Sequence, residues 1–125
     1  MKKRAVLDTT YILPILGITI DEVSDEDIKF LYEISNKIEL IYPAPMLIEL
    51  VGKAARKARD QGLMGLPKEA VQGLNALCSG AFVKIVVPAV EELLIATDLW
   101  IQGHRDLMDN VAYAIALVRN GYFVS

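Results

Sequence analysis

The chain has 125 residues, a net charge of −3 and a composition that is 54% hydrophobic, with a mean hydropathy of +0.36 and a pI near 5.1. These values favour one domain with strands buried on both faces, and a subunit that hides apolar surface in a homodimer. They weigh against nucleic-acid binding by bulk positive charge, but not against an enzyme that handles phosphates through bound cations. No apolar run reaches the ~20 residues of a membrane helix, and Asp8 interrupts the run that a signal peptide would need, so we expect a cytoplasmic protein.

Strands and helices alternate along the chain. Strands are predicted at 4–7, 38–43 and 82–87, with a fourth that begins at 122. The helices are predicted to be a short or bent one from Thr9 or Thr10 to near Gly17, then 24–35, 45–62, 66–80, 88–103 and 106–121. This alternation is typical of an α/β fold, here a three-layer α/β/α sandwich with a central parallel sheet of about four strands in a single domain, 1–125.

Local signals set the expected helix ends and faces. Ser24 precedes three acidic residues and should cap its helix, and Gly121 should close the last one. The apolar face of the helix 66–80 is predicted to hold Val71, Leu74, Leu77 and Cys78. The single cysteine should therefore pack as a small hydrophobic residue.

Asp8 is the first residue after the predicted first strand. In open parallel sheets, ligands bind beyond the carboxyl ends of the strands, where the strand order reverses, so Asp8 is a candidate ligand-binding residue. The alternative is that Asp8 only caps the following helix. Thr9 or Thr10 could cap that helix equally well, so capping alone does not require the aspartate.

Glu49 lies in the first turns of the helix 45–62, at the boundary of its apolar face. It could be a functional carboxylate, or it could form a surface ion pair with Lys53, four residues further on. Lys53, Arg56 and Lys57 could also contact a phosphate backbone, although a run of cations like this is more commonly a solvated helix face.

Asp106 and Asp109 are three residues apart in "HRDLMDNVAYAIA", so they share one face if the helix has begun. Asp106 as the N-cap and Asp109 in the first turn would favour the helix dipole without any chemistry. Alternatively, one or both join Asp8 and Glu49 around a cation, which would relieve the repulsion between gathered carboxylates. Mg²⁺ takes oxygen ligands, usually a few carboxylates together with water and substrate phosphate.

Other chemistries have weaker support. His104 is the only histidine, without an ordered Cys or Ser partner for a catalytic triad, and we expect it at the surface. No Cys/His spacing indicates zinc, and no glycine-rich phosphate loop follows the first strand. Phosphotransferases of the haloacid dehalogenase type also begin with an aspartate after the first strand, but their motif is D-x-D and residue 10 here is a threonine.

Three motifs together resemble the PIN domain family. "AVLDTTYIL" is similar to its opening motif, an apolar strand followed by Asp and then Thr or Ser. "PAPMLIELVGKA" is similar to the second, a glutamate early in a helix after the second strand. "MDNVAYAIALVRNGYFVS" resembles the third, an aspartate, a helix rich in small residues, a glycine turn and an apolar strand. The resemblance covers essentially the whole chain, in the right order.

The resemblance implies a Rossmann-like sandwich and a Mg²⁺- or Mn²⁺-dependent endoribonuclease, either a toxin of a VapBC toxin–antitoxin pair or an RNA-processing nuclease. RNA, an antitoxin protein and a second copy of the chain are the implied partners. The matching residues are Asp8, Glu49 and Asp109 as acidic ligands, Asp106 as a second choice, and Thr9 or Thr10 as the polar residue that binds a ligand water or orients the first carboxylate.

The end of the chain departs from the family pattern. Family members usually carry a further acid just after the fourth strand, in a Thr/Ser-x-Asp turn that leads into a last segment of sheet. Ser125 would be the Thr/Ser of that turn. The expectation is therefore either a chain truncated after Ser125 or a protein that lacks the fourth acid and the final strand. The latter favours a rival reading, a catalytically inactive PIN-like module that binds RNA or protein.

Overall fold

Strands β1 (Lys3–Leu7) and β2 (Ile38–Pro43) form the centre of a four-stranded sheet. In the computed structural model of the protein, which describes residues 3–19, 21 and 23–124, the outer strands are β3 (Lys84–Val86) and β4 (Tyr122–Val124). All pairings are parallel, and the order is β3-β2-β1-β4. Because β2 and β3 lie on one side of β1 and β4 lies on the other, the strand order reverses at β1. The carboxyl end of β1 is therefore the expected place for a ligand.

The described residues form five α-helices and two short 3₁₀ helices, and each predicted helix is present. Their bounds are Thr9–Tyr11 and Leu13–Leu16 for the 3₁₀ helices, then α1 (Asp25–Ile34), α2 (Met46–Asp60), α3 (Lys68–Cys78), α4 (Val90–Ile101) and α5 (Leu107–Val118). Pro14 near the start of the second 3₁₀ helix explains why this segment does not become one regular α-helix. Within the described ranges, no helix is both long enough and apolar enough to cross a membrane.

The core lies on both faces of the sheet. Consecutive residues of a strand point to opposite faces, yet Val6 and Leu7 are 1% and 0% exposed, and Ile41 and Tyr42 are 1% and 0% exposed. Helix α5 packs against β1, β2 and β4, and α4 packs along α5. This confirms the predicted α/β fold with a parallel sheet covered by helices.

The buried face of α3 differs from the prediction. Ala70, Gly73 and Leu77 are buried, whereas Val71 is 46% exposed and Cys78 is exposed. The side that faces the core meets the 3₁₀ helix Leu13–Leu16 closely, and small residues permit that approach. The prediction was therefore wrong for Val71 and Cys78, whereas Leu77 is buried and Leu74 packs against the core as predicted.

Gly121 closes α5 as predicted, although the left-handed residue of the turn is its neighbour. Asn120, not Gly121, has a positive φ of 54°. Gly121 is required for a different reason, because a Cβ atom there would lie 2.9 Å from the carbonyl oxygen of Arg4. Its N–H donates to the carbonyl oxygen of Ala116 at 2.7 Å, which closes α5. Ser125, the predicted turn residue beyond β4, lies outside the described residues.

Candidate metal centre

Asp8 extends β1 by one residue and presents its carboxylate at the edge of the sheet. Its N–H donates to the carbonyl oxygen of Val124 at 3.0 Å. Oδ1 accepts a hydrogen bond from the N–H of Thr9 at 2.8 Å, and Oδ2 accepts one from the hydroxyl of Thr10 at 3.3 Å. Asp8 is thus itself the N-cap of the first 3₁₀ helix, which confirms the capping role considered for Asp8, whereas the prediction of Thr9 or Thr10 as the cap was wrong. Each carboxylate oxygen still keeps a lone pair for a ligand.

Thr9 and Thr10 have different surroundings. The Thr10 hydroxyl orients the Asp8 carboxylate, while the Thr9 side chain is fully buried and lies 2.8 Å from the Tyr42 hydroxyl. Tyr42 donates its single proton to the carbonyl oxygen of Met46 at 2.9 Å, so Thr9 must be the donor to Tyr42. Burial, opposed by the Thr9 hydrogen bond and reinforced by Glu49 and Asp8, raises the pKa of Tyr42 well above its ordinary value. The phenol therefore stays neutral and links β1 and β2 to the start of α2.

Glu49 lies in the first turn of α2, with 31% of its side chain exposed. Its Oε1 lies 3.9 Å from the Nζ of Lys53, the ion pair expected from the spacing of four residues. Both side chains are partly hydrated, so this pair contributes at most about 0.5 kcal/mol. Because the ion pair is weak, the Glu49 carboxylate remains available to bind a cation.

Asp106 and Asp109 begin α5. Asp106 is the N-cap, and its Oδ1 accepts a hydrogen bond from the N–H of Asp109 at 3.1 Å, so the structural role considered for Asp106 is present. The pKa of Asp109 is raised from 3.8 to about 6. Partial loss of hydration around its carboxyl group is the largest cause, although the residue as a whole is exposed. Repulsion from Asp106 comes next, and the protonated form also shares a hydrogen bond with Asp106.

Acids from three separate elements act on one another at this edge of the sheet. Besides Asp106, both Asp8 and Glu49 raise the pKa of Asp109. The same two residues, Asp8 and Glu49, also raise the pKa of Tyr42 near the end of β2, although burial is the largest cause there. Asp8, after β1, and Glu49, at the start of α2, are therefore close enough to Asp109 to raise its pKa, although the three residues are far apart in sequence.

The donor set fits a divalent cation only in part. No three Asp, Glu, His or Cys side chains in residues 3–19, 21 and 23–124 are close enough together to ligate one ion. However, Mg²⁺ commonly uses one or two carboxylates and completes its shell with water, and it prefers oxygen donors of this kind. A bound cation would also relieve the repulsion that raises the pKa of Asp109. We therefore regard Asp8, Glu49 and Asp109 as compatible with a cation bound partly through water.

The basic residues of α2 run away from this edge. Lys53, Arg56 and Lys57 are exposed and lie one to two turns beyond Glu49, toward the carboxyl end of the helix. Lys57 lines a small cavity of about 120 Å³ together with Gln61 and Glu69. The three cations thus form a solvated face that continues from the acidic edge.

Tyr42 and Asn110 were absent from the sequence predictions. Asn110 is 6% exposed, and its Nδ2 donates to the carbonyl oxygens of Ala96 at 3.3 Å and His104 at 2.6 Å. It joins α4, the following loop and α5, while His104 itself is exposed as expected. A single amide within the apolar run "NVAYAIA" was the signal that could have indicated this role.

Comparisons with solved structures identify the fold. The chain is similar to Mycobacterium tuberculosis VapC20, a Sarcin-Ricin loop cleaving toxin, with a TM-score of 0.65 and 14% identity over 94% of this chain and 84% of that chain. It is also similar to a chain of VapBC2 from Rickettsia felis bound to a DNA fragment from their promoter, with a TM-score of 0.65 and 12% identity over 98% and 86%. No family profile and no curated protein matches the sequence. The chain therefore has the PIN-domain fold of VapC-type proteins.

Proposed function

We propose that this chain is a divalent-metal-dependent endoribonuclease that hydrolyses phosphodiester bonds of RNA. The observation that carries the proposal is the raised pKa of Asp109, which burial and the nearby charges of Asp106, Asp8 and Glu49 cause at the carboxyl edge of the sheet. Gathering like charges is unfavourable for folding, so a site that does so is a candidate for function. The similarity to VapC20, a Sarcin-Ricin loop cleaving toxin, supports the same function.

Asp8, Glu49 and Asp109 would hold Mg²⁺ or Mn²⁺, with Asp106 as the second choice beside Asp109. The bound cation supplies a water of lowered pKa and neutralises charge on the scissile phosphate. Thr10 holds the Asp8 carboxylate in one orientation through Oδ2, and the Thr9 N–H does so through Oδ1. Without a cation, Asp109 binds a proton near pH 6 and shares it with Asp106.

RNA and an antitoxin are the proposed partners. Lys53, Arg56 and Lys57 are exposed cations that follow Glu49 along α2 and would contact the RNA backbone as it leaves the acidic edge. VapBC2 is a complex that binds promoter DNA, so we propose this chain as the toxin of such a pair, paired with an antitoxin in the cytoplasm. The homodimer remains part of the proposal, on the basis of the exposed apolar side chains of α4, including Val90 and Leu94 at 72% and 60%.

Cleavage of a labelled single-stranded RNA by the purified chain in Mn²⁺ tests the proposal. Asp8→Asn should reduce the rate by at least about 100-fold, because even changes to groups that support metal ligands cost about 10–100-fold. Asp60→Asn, at an exposed aspartate in the last turn of α2, three turns from Glu49, is the matched control and should cleave like the wild type. Cleavage that persists in EDTA, or that Asp8→Asn leaves intact, would overturn the proposal.

A second candidate function is a catalytically inactive PIN-like module that binds RNA or protein. The observation in its favour is that no three acids among the described residues form a direct cation cluster. Calorimetric titration with Mn²⁺ distinguishes the nuclease from the inactive module. A nuclease requires binding that Asp8→Asn removes, whereas an inactive module requires no heat beyond dilution and no cleavage.

A further inference from the structure

The loop between α4 and α5 lies at the same end of the molecule as the acidic edge. Helix α4 ends at Ile101 and α5 begins at Leu107, so only five residues connect two helices that pack along each other. A connection this short makes the helices antiparallel. The carboxyl end of α4 therefore lies beside Asp106 and Asp109 at the start of α5.

Trp100 and Arg105 form an exposed pair at this end. The guanidinium carbon of Arg105 lies 4.3 Å from the centre of the Trp100 ring, and Trp100 is 42% exposed. Arg105 is exposed and precedes Asp106 directly. Within the described part of the chain, Arg105 has no carboxylate within ion-pair distance, even though acids cluster beside it.

The conformation of the loop does not depend on this pair. The His104 N–H donates to the carbonyl oxygen of Leu99 at 3.0 Å, and the His104 carbonyl oxygen accepts from Asn110 at 2.6 Å. The Gly103 N–H donates to the Trp100 carbonyl oxygen at 3.1 Å, a bond that any side chain at residue 100 permits. The loop therefore does not need the pair for its own conformation, and the exposed surface of Trp100 and Arg105 is available to bind another molecule.

We propose that Trp100 and Arg105 form a stacking platform for an unpaired base of single-stranded RNA, next to the acidic edge. This rests on the proposed ribonuclease function and specifies the form of its substrate. A guanidinium plane on an aromatic ring can accept a base on its outer face, and its N–H groups can donate to a phosphate at the same time. With a net charge of −3, the chain repels RNA in general, so a cation without an acidic partner beside the site is favourable for binding.

Trp100 is the single tryptophan, so its fluorescence reports on this platform directly. Wild-type protein in EDTA and Asp8→Asn in Mg²⁺ would each be titrated with a short single-stranded RNA and with inorganic polyphosphate as a probe without bases. We expect quenching by the RNA and clearly weaker quenching by polyphosphate. Absence of quenching in both preparations, or equal quenching by the two probes, would overturn the proposal.

Three variants separate stacking from charge. Trp100→Leu should weaken RNA binding by about 5-fold or more, measured by anisotropy of labelled RNA, since stacking of one base is worth at least that factor. Arg105→Lys keeps the charge but loses the planar group, so it should also weaken binding severalfold, whereas Lys29→Gln, which removes an exposed cation on α1, should not. Equal affinity of all three would contradict the proposal, provided that circular dichroism shows them folded.

The result can be distinguished from the outcome of the nuclease test. RNA-dependent quenching without any cleavage would support the platform and overturn the nuclease. Cleavage without quenching would support the nuclease and overturn the platform. A change of fluorescence with protein concentration alone would show that a second copy of the chain covers Trp100, and it would also overturn the RNA platform.

Discussion

The hydroxyl groups of Thr9 and Tyr42 lie 2.8 Å apart in a part of the core where both residues are fully buried. Thr9 directly follows Asp8, and Tyr42 is bonded to Met46, three residues before Glu49. This contact therefore joins the segments that carry two of the proposed ligands, Asp8 and Glu49, through side chains that are not ligands themselves. A polar pair of this kind is useful because its hydrogen bonds have direction, which apolar packing lacks.

Tyr42→Phe should lower the free energy of unfolding by about 1–3 kcal/mol, because it leaves the buried Thr9 hydroxyl without an acceptor. Urea unfolding followed by circular dichroism measures this. Tyr122→Phe, at a residue that is 62% exposed, is the control and should change stability by less than about 0.5 kcal/mol. A loss no larger than the control's would show that the buried hydrogen bond contributes nothing.

Thr10→Val should weaken Mn²⁺ binding by about 10–100-fold, because the Asp8 carboxylate loses the hydroxyl that orients Oδ2. Thr10→Ser keeps the hydroxyl and should retain most of the affinity. Calorimetric titration gives both values. Thr97→Val removes a hydroxyl that donates to the carbonyl oxygen of Leu94, away from the site, and should bind as the wild type does. Equal affinities for Thr10→Val and Thr10→Ser would contradict this role.

Asp109→Asn should stabilise the metal-free protein, with a gain that depends on pH. The pKa of Asp109 is raised to about 6 in the folded state from 3.8, so its ionised form opposes folding. The gain is full above about pH 6, decreases as the pH falls from there, and vanishes below 3.8, where the wild-type group is protonated in both states. Thermal unfolding in EDTA across this range checks it, with Asp60→Asn as the matched substitution at an exposed aspartate.

A loss of stability in Asp109→Asn without metal would contradict this prediction. If Asp109→Asn lowered the melting temperature in EDTA above pH 7, the ionised Asp109 would not oppose folding as described. In Mn²⁺ the order should reverse, because the wild type gains stability from the bound cation and the variant loses a ligand.

Arg119→Met should lower the free energy of unfolding. Breaking a buried ion pair by removing one partner costs about 3–5 kcal/mol, and we expect the lower end of that range because Arg119 is itself partly exposed. Glu92 is fully buried, and Arg119 contacts both of its carboxylate oxygens, at 2.8 and 2.9 Å. Arg119, opposed by burial and aided by the Ala89 N–H, lowers the pKa of Glu92 below its ordinary value of 4.5. The stabilisation is therefore present above 4.5 and is lost as the pH falls through the lowered folded-state pKa.

The double variant Glu92→Gln/Arg119→Met is the control for that pair. It removes the charge that Arg119→Met leaves uncompensated, while the glutamine can still accept from the Ala89 N–H. We expect the double variant to recover most of the loss in urea unfolding. A double variant as unstable as Arg119→Met would show that the cost came from packing and not from the charge.

The order of strands and helices was predictable from the sequence because it depends on local patterns. Short apolar runs such as "IELIYP" gave β2 with its bounds, and Ser24 with three acids after it gave the start of α1. The approximate positions of Asp8, Glu49 and Asp109 at element ends followed from the same patterns, with a likeness to one family's motifs. Alternation of strands and helices was sufficient for a parallel sheet, because parallel strands need crossover connections.

The tertiary structure alone decided which side chains meet. Asp8 caps the first 3₁₀ helix, and Asn120 takes the left-handed conformation before β4. In α3, Ala70 and Gly73 are buried where Val71 and Cys78 were expected. The contacts of Thr9 with Tyr42, and of Trp100 with Arg105, depend on the relative placement of elements. Local sequence determines the helices and strands because it sets the preferences of the backbone. Long-range packing determines the distances between these elements, and those distances decide which side chains form hydrogen bonds and which charges repel each other.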